Sequence, residues 1–232
     1  MRIGLLLIAT GKYDVFLQPL IDSVEKYFFK DDAVDIFLFT DKNIGIFHSN
    51  RIRINQILTE HKPFPYSTLY RYKYFNNRKD LIMNTDYVFY CDVDMLFVDY
   101  VDREILPNSN GLVAVQHPGF AKTGGWGSPN TFKESTAYVA PECRGTYCAG
   151  GFQGGYTQSY LIACAELDRN ITTDENNGVM ADWHDESHWN KCLSVRGYQE
   201  KILSHEYCMS DADISGAPKL LALTKDHAAL RS

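Results

Sequence analysis

The protein has 232 residues, 45% of them hydrophobic and 13% aromatic, the composition of an ordinary globular chain with enough apolar mass for a core. Its formal net charge of −6 and sequence pI of about 5.6 exclude an overall electrostatic drive toward nucleic acid or an anionic membrane. An anionic ligand would therefore need local Arg or Lys, a helix N-terminus or a metal ion.

The chain opens MRIGLLLIATGKYD. Ile3 to Ala9 is a near-continuous apolar run, as in a parallel strand buried on both faces. It is too short to cross a membrane and lacks a small-residue cleavage site, so a soluble, cytoplasmic protein is expected. Val15, Leu17, Leu20, Ile21, Val24, Tyr27 and Phe28 recur at helical spacing and predict a helix over about 14–29. Val34 to Phe39 reads as a second strand, and this β-α-β start predicts a right-handed crossover in a parallel sheet. A helix over Leu69 to Met83 and a strand over Tyr87 to Cys91 follow. Residues 117–135, with TGGWGSPN at their centre, read as a loop. Ala137 to Ala140 reads as a strand, and about 156–167 and 185–195 as helices. No repeat, low-complexity tract or linker divides the chain, so one domain is expected, with an α/β N-terminal half and a more irregular C-terminal half. The six cysteines (91, 143, 148, 164, 192 and 208) form no C-x-x-C pair, which favours reduced, mostly buried thiols over disulfides or a zinc site.

Three motifs carry chemistry. In DYVFYCDVDMLFVD, Asp92 and Asp94 fall where the Tyr87 to Cys91 strand should end. Ligands of open α/β sheets bind at the carboxyl ends of strands, and alternate residues of an extended chain face one side. Two such carboxylates can converge on Mg²⁺ or Mn²⁺, which would neutralise a diphosphate and stabilise its departure; read alone, the pair also fits a solvated turn. The chain holds neither a P-loop nor G-x-G-x-x-G, so a metal would have to handle phosphate charge. In ADWHDESHWNK, Trp183 could stack on a sugar face, Glu186 is a candidate nucleophile or base, and Asp185 could hold hydroxyls. The same acids could simply open a helix. Finally, Gly150, Gly151, Gly154 and Gly155 either allow close backbone packing or leave room for a bulky ligand.

With these motifs in order, the chain resembles glycosyltransferase family 6. The matching pieces are DYVFYCDVDMLF, HPGF (117–120), STAYVAPE (135–142), YCAGGFQGG (147–155), WHDESHWNK (183–191) and a Lys225 to Arg231 tail, so the resemblance covers nearly the whole chain. It implies a GT-A fold, a Rossmann-like mixed sheet flanked by helices. It also implies a nucleotide-sugar donor, an oligosaccharide acceptor and an α-1,3 linkage formed with retention. The nucleotide-binding half would span about 1–116 and the acceptor and catalytic half about 117–232.

Carried over residue by residue, the resemblance implies that Asp92 and Asp94, flanking Val93, hold Mn²⁺ (or Mg²⁺). Some bacterial relatives carry N-x-N instead and work without metal, a departure this chain does not share. Ile8, Ala9 and Tyr13 match uracil contacts, and Arg71 the helix arginine that reaches the donor. Glu186 matches the candidate nucleophile, Asp185 a ligand of donor hydroxyls, and His117, Trp183 and Glu186 acceptor contacts. Lys225 and Arg231 match cations that cover the diphosphate. The small residues at Ala149 and Gly151, beside Gly150, point toward UDP-GalNAc, with UDP-Gal the alternative. The loop at 121–134 is shorter and richer in glycine than in vertebrate members, and no Golgi anchor or stem precedes the domain, which implies a bacterial or phage protein. Two rival readings use the same residues: a sugar-binding module without chemistry, and a sugar-nucleotide hydrolase that turns over without acceptor.

Overall fold

A computed structural model describes residues 1–45, 49–109, 111–121, 126–196 and 200–231. Its elements, in order, are β1 (Arg2–Ala9), a 3-10 segment (Gly11–Phe16), α1 (Leu17–Tyr27), β2 (Ala33–Thr40), β3 (Ile52–Leu58), α2 (Tyr66–Leu69), α3 (Arg71–Asn76) and α4 (Lys79–Ile82). Then come β4 (Tyr87–Cys91), β5 (Met95–Phe97), β6 (Leu112–Gln116), α5 (Pro118–Ala121), β7 (Cys148–Tyr156), α6 (Thr157–Asn176) and α7 (His184–Arg196). The chain closes with β8 (Lys201–Leu203), β9 (Met209–Ser210), β10 (Leu220–Ala222) and α8 (His227–Arg231).

Among the described residues, seven strands form one sheet in the order β3-β2-β1-β4-β7-β6-β8. The first four run parallel, β7 runs antiparallel to both β4 and β6, and β8 is parallel to β6. Side-chain alternation sends Ile3, Leu5 and Leu7 of β1 to one face, where Leu17, Leu20, Ile21 and Val24 of α1 cover them. Leu6 faces the other way, into a cluster with Tyr72 and Phe75 of α3, Tyr160 and Leu167 of α6, and Trp189 of α7. The near-continuous apolar strands are thus explained by helices on both faces. A second sheet, β5-β10-β9, carries the chain's end back beside β4, where Leu223 N–H donates to Asp94 O at 2.9 Å.

Several elements differ from the sequence expectation, each for a local reason. The first helix begins at Leu17 rather than 14 because Pro19 lies in its first turn. A proline ring clashes with the carbonyl four residues earlier, so the α geometry does not continue upstream, and Gly11–Phe16 winds as 3-10 instead. The expected helix over 69–83 is three short ones, broken at Tyr70 and Arg78. At the first break, the Thr68 carbonyl accepts from Arg71 Nε at 3.2 Å. Ala137 to Ala140 is not a strand. Buried Asp174 of α6 accepts from Ser135 Oγ (2.5 Å) and Thr136 N–H (2.8 Å), which holds the preceding residues in a turn. Helix α6 runs on to Asn176, since Leu167 and Ile171 extend its buried stripe, and Gly178 ends it at φ +68°. Of the expected 117–135 loop, Pro118–Ala121 forms the single turn α5, and residues 122–125 lie outside the described residues.

Candidate active site

The carboxyl ends of β1 and β4 meet the beginning of β7. Asp92 N–H donates to Gly151 O at 2.8 Å, so the antiparallel pairing carries Gly150 and Gly151 to the end of β4. The glycines of β7 divide by position. A Cβ on Gly154 would lie 2.3 Å from Val88 O, so that glycine is needed for the close strand approach. A Cβ on Gly151 would instead meet Asp92 Oδ2 (3.1 Å), Met95 Sδ (3.3 Å) and Cys208 Sγ (3.5 Å), and one on Gly150 would meet Asp185 and Glu186.

A cavity of about 200 Å³ opens over the strand ends. Ile8, Tyr13, Asp92, Val93 and Asp94 line it from the sheet side, Phe64 and Thr68 from the α2 side, and Lys225, His227 and Arg231 from the chain's end. Lys225 Nζ pairs with Asp94 Oδ2 at 2.5 Å, and the Arg231 guanidinium sits 3.6 Å from the centre of the Phe64 ring. Lys12 Nζ donates to Ala229 O at 3.0 Å, so the 3-10 segment and α8 close on each other across the cavity.

Beyond Asp92 the site is buried and tightly bonded. Arg71, 3% exposed, donates through Nη1 to Gly150 O (2.8 Å) and pairs through Nη2 with Asp185 (3.1 Å) and Asp92 (3.5 Å). Its plane lies 4.3 Å from the centre of the Tyr90 ring, and the Tyr90 hydroxyl donates to Asp92. Burial opposes the Arg71 charge, but Asp185, Tyr90 and Asp92 outweigh it and raise its pKa further. Burial likewise raises Asp185, while Arg71 pulls it back. Burial raises Asp92 to about 6 against the same arginine.

Glu186 sits in the first turn of α7. Its Oε2 accepts from Gly150 N–H and its Oε1 from the Tyr147 hydroxyl, both at 2.9 Å. Burial pushes its pKa up to about 7, although both hydrogen bonds favour the carboxylate. Asn190, one turn on, fixes the helix to β7: it pairs with both backbone groups of Cys148 at 2.8 Å and donates to Glu186 O at 2.9 Å.

The remaining expected residues are placed differently. Ala9 and Ala149 are buried strand residues and do not line the cavity. Arg71 also lies behind the cavity wall, holding two carboxylates. Trp183 is 54% exposed, and its indole N–H donates to Ser128 Oγ at 2.8 Å. His117, at the end of β6, packs against Phe120 and Tyr147, and burial lowers its pKa. Sequence reading missed Tyr147, although it opens the quoted glycine motif; only the pairing of β7 with α7 brings its hydroxyl to Glu186. It also missed Tyr90, Thr68 and Phe64.

Among the described residues no cluster of three or more His, Cys, Asp or Glu side chains forms a metal site by itself. Asp92 and Asp94 nevertheless share the cavity wall, and two carboxylates are hard oxygen donors suited to Mn²⁺ or Mg²⁺. The donor set fits an ion whose other ligands come from phosphate and water. Lys225 must then leave Asp94.

The glycosyltransferase family 6 model matches residues 1–232. The histo-blood group ABO system transferase 1 of Rattus norvegicus is 29% identical over 99% of this chain and 68% of its own length. The globoside alpha-1,3-N-acetylgalactosaminyltransferase 1 of Homo sapiens is 28% identical over 91% of this chain and 62% of its own. The O-antigen biosynthesis glycosyltransferase WbnI of Escherichia coli is 27% identical over 82% of this chain and 81% of its own. The mixed sheet flanked by helices is that of a GT-A type glycosyltransferase, and no helix among the described residues is long and apolar enough to cross a membrane. The match along the whole chain places it in glycosyltransferase family 6.

Proposed function

We propose that the chain is a retaining α-1,3-glycosyltransferase that moves GalNAc from UDP-GalNAc to a galactose-containing glycan, with UDP-Gal a poorer donor. One observation carries this reading: Glu186 is held beside Gly150 at the point where β7 delivers Gly151 to Asp92. An acid for the sugar and a carboxylate pair for the diphosphate are thereby adjacent. Tyr13 and Ile8 would receive the uracil. Asp92 and Asp94 would hold Mn²⁺, or Mg²⁺, which when bound supplies charge to neutralise the diphosphate. Lys225 and Arg231 would turn onto the diphosphate and exclude water from the donor.

The buried acids act on the sugar. Asp185, fixed by Arg71, accepts from donor hydroxyls. Gly151 lets Asp92, Met95 and Cys208 pack against bare backbone, and a larger residue there would push them into the room the N-acetyl group needs. Glu186, ionised, faces the anomeric carbon. Retention follows either from its covalent attack on that carbon as the bond to UDP breaks, the acceptor oxygen then displacing Glu186, or from same-face entry of the acceptor as UDP leaves while Glu186 stabilises positive charge; the acceptor's proton passes to the departing diphosphate. His117 and Trp183 would position the acceptor hydroxyl.

The test is an array of sugar nucleotides against galactose-terminated glycans, with and without Mn²⁺, read by mass spectrometry. The expected product is an added N-acetylhexosamine that requires Mn²⁺ and acceptor. Equal turnover of donor without any acceptor would contradict transfer and identify a hydrolase.

A further inference from the structure

A second cavity, of about 250 Å³, lies on the far side of Tyr147. Its wall includes Trp126, Cys143, Arg144, Tyr147, Glu200 and Ile202. Nothing in the donor chemistry uses it. Trp126 is 58% exposed beside it, a large apolar surface left in water at the mouth of a pocket. Among the described residues, Glu200 Oε1 is buried with no hydrogen-bond partner, a costly arrangement for a carboxyl group. Arg144 makes no ion pair among the described residues; its Nε reaches only Val139 O, at 3.4 Å.

These features select a ligand class. An aromatic face combined with a carboxyl and a guanidinium matches a ring that has an apolar face and a hydroxyl edge. The opposed charges on one wall disfavour a phosphate or a carboxylate. The cavity is also tied to the reacting end. Tyr147 lines it and donates to Glu186, and Trp126 stands two residues before Ser128, which holds Trp183. Gly127, between them, presses on Tyr147: a Cβ there would lie 2.1 Å from the ring.

We infer that this cavity is a subsite for an uncharged pyranose of the acceptor glycan, removed by at least one residue from the galactose that receives the transfer. Trp126 stacks on its ring, and Glu200 and Arg144 bond its hydroxyls. The inference rests on the acceptor reading above.

Transfer to methyl β-galactoside and to a panel of galactose-terminated tetrasaccharides should be compared in the native chain, Trp126→Ala and Glu200→Gln. The best tetrasaccharide should lose about tenfold in kcat/KM in the first variant and severalfold in the second, while methyl galactoside and UDP affinity change less than twofold. An equal loss for both acceptors, or none for either, overturns the subsite. A second readout needs no turnover. Of the six cysteines, all within the described residues, Cys143 alone is exposed, and it lines the cavity. A tetrasaccharide should slow its alkylation by iodoacetamide more than methyl galactoside does, and Trp126→Ala should remove the difference. Protection without transfer to any galactoside would leave the sugar site standing and defeat the transferase reading. No protection by any tetrasaccharide would defeat the subsite.

Discussion

The two ends of the donor site are built differently. At the cavity end, Asp92 and Asp94 sit at a strand terminus and are met by Lys225 and Arg231 of the chain's last residues, held there by an ion pair to Asp94 and a ring contact with Phe64. At the buried end, Arg71, Asp185, Glu186, Tyr147 and Asn190 are locked to α2, α7 and β7 by short bonds. The difference follows from what each must do. A diphosphate with its cation must enter and leave, so its partners are movable. A developing charge at a sugar carbon is stabilised by groups whose orientation is already fixed.

The largest effect should come from breaking the buried end. Arg71→Met leaves Asp185 without its cation and should cost about 3–5 kcal/mol in urea unfolding at neutral pH. A loss below 1 kcal/mol would mean that the network is looser than its geometry implies.

The two ends should also separate by pH. Glu186 must be ionised to act, and burial raises it to about 7, so donor kcat/KM should fall about tenfold from pH 8 to pH 6 while UDP affinity changes less. The stability effect has the opposite sense. The fold favours the protonated acid, so its contribution is present below the ordinary carboxylate range and is lost as pH rises through about 7. In the ligand-free protein, Glu186→Gln should therefore raise Tm at pH 8 and leave it unchanged near pH 4. A variant less stable than the native chain at pH 8 would show that the carboxylate's two hydrogen bonds outweigh its burial.

At the junction of the ends, Gly151→Ala should crowd Asp92 and Met95 and lower the GalNAc-to-Gal ratio of kcat/KM by up to about tenfold. An unchanged ratio would remove Gly151 from donor selection. The smallest effect is expected at the movable end. Lys225→Ala removes a phosphate partner but also frees Asp94, and these offset, so UDP affinity in Mn²⁺ should fall only about threefold, and less at high salt. A hundredfold loss would make the tail as organised as the buried end.

Legibility in the sequence follows the same division. β1, β2 and β4 were readable because burial on both faces leaves near-continuous apolar runs, and Asp92 stood out as a carboxylate at the end of one. β7 was not, because glycine carries no strand preference; only its pairing separates Gly154, required for packing, from Gly151, beside Asp92. The break at Tyr70 was hidden because it belongs to Arg71, whose partners Asp92 and Asp185 lie 21 and 114 residues away by number (92 − 71 and 185 − 71). Tyr147 was missed for the same reason. Groups that act at the end of their own strand can be read locally, and those that act through a crossing element cannot.

The central claim is that binding and chemistry reside at opposite ends of one site. It is tested most directly by measuring, on a single preparation of Glu186→Gln, UDP affinity in Mn²⁺ by calorimetry and sugar transfer by mass spectrometry. Transfer should drop at least about a thousandfold, with the UDP dissociation constant within threefold of the native value. Loss of UDP binding together with activity, or transfer surviving at near-native rate, would contradict the division.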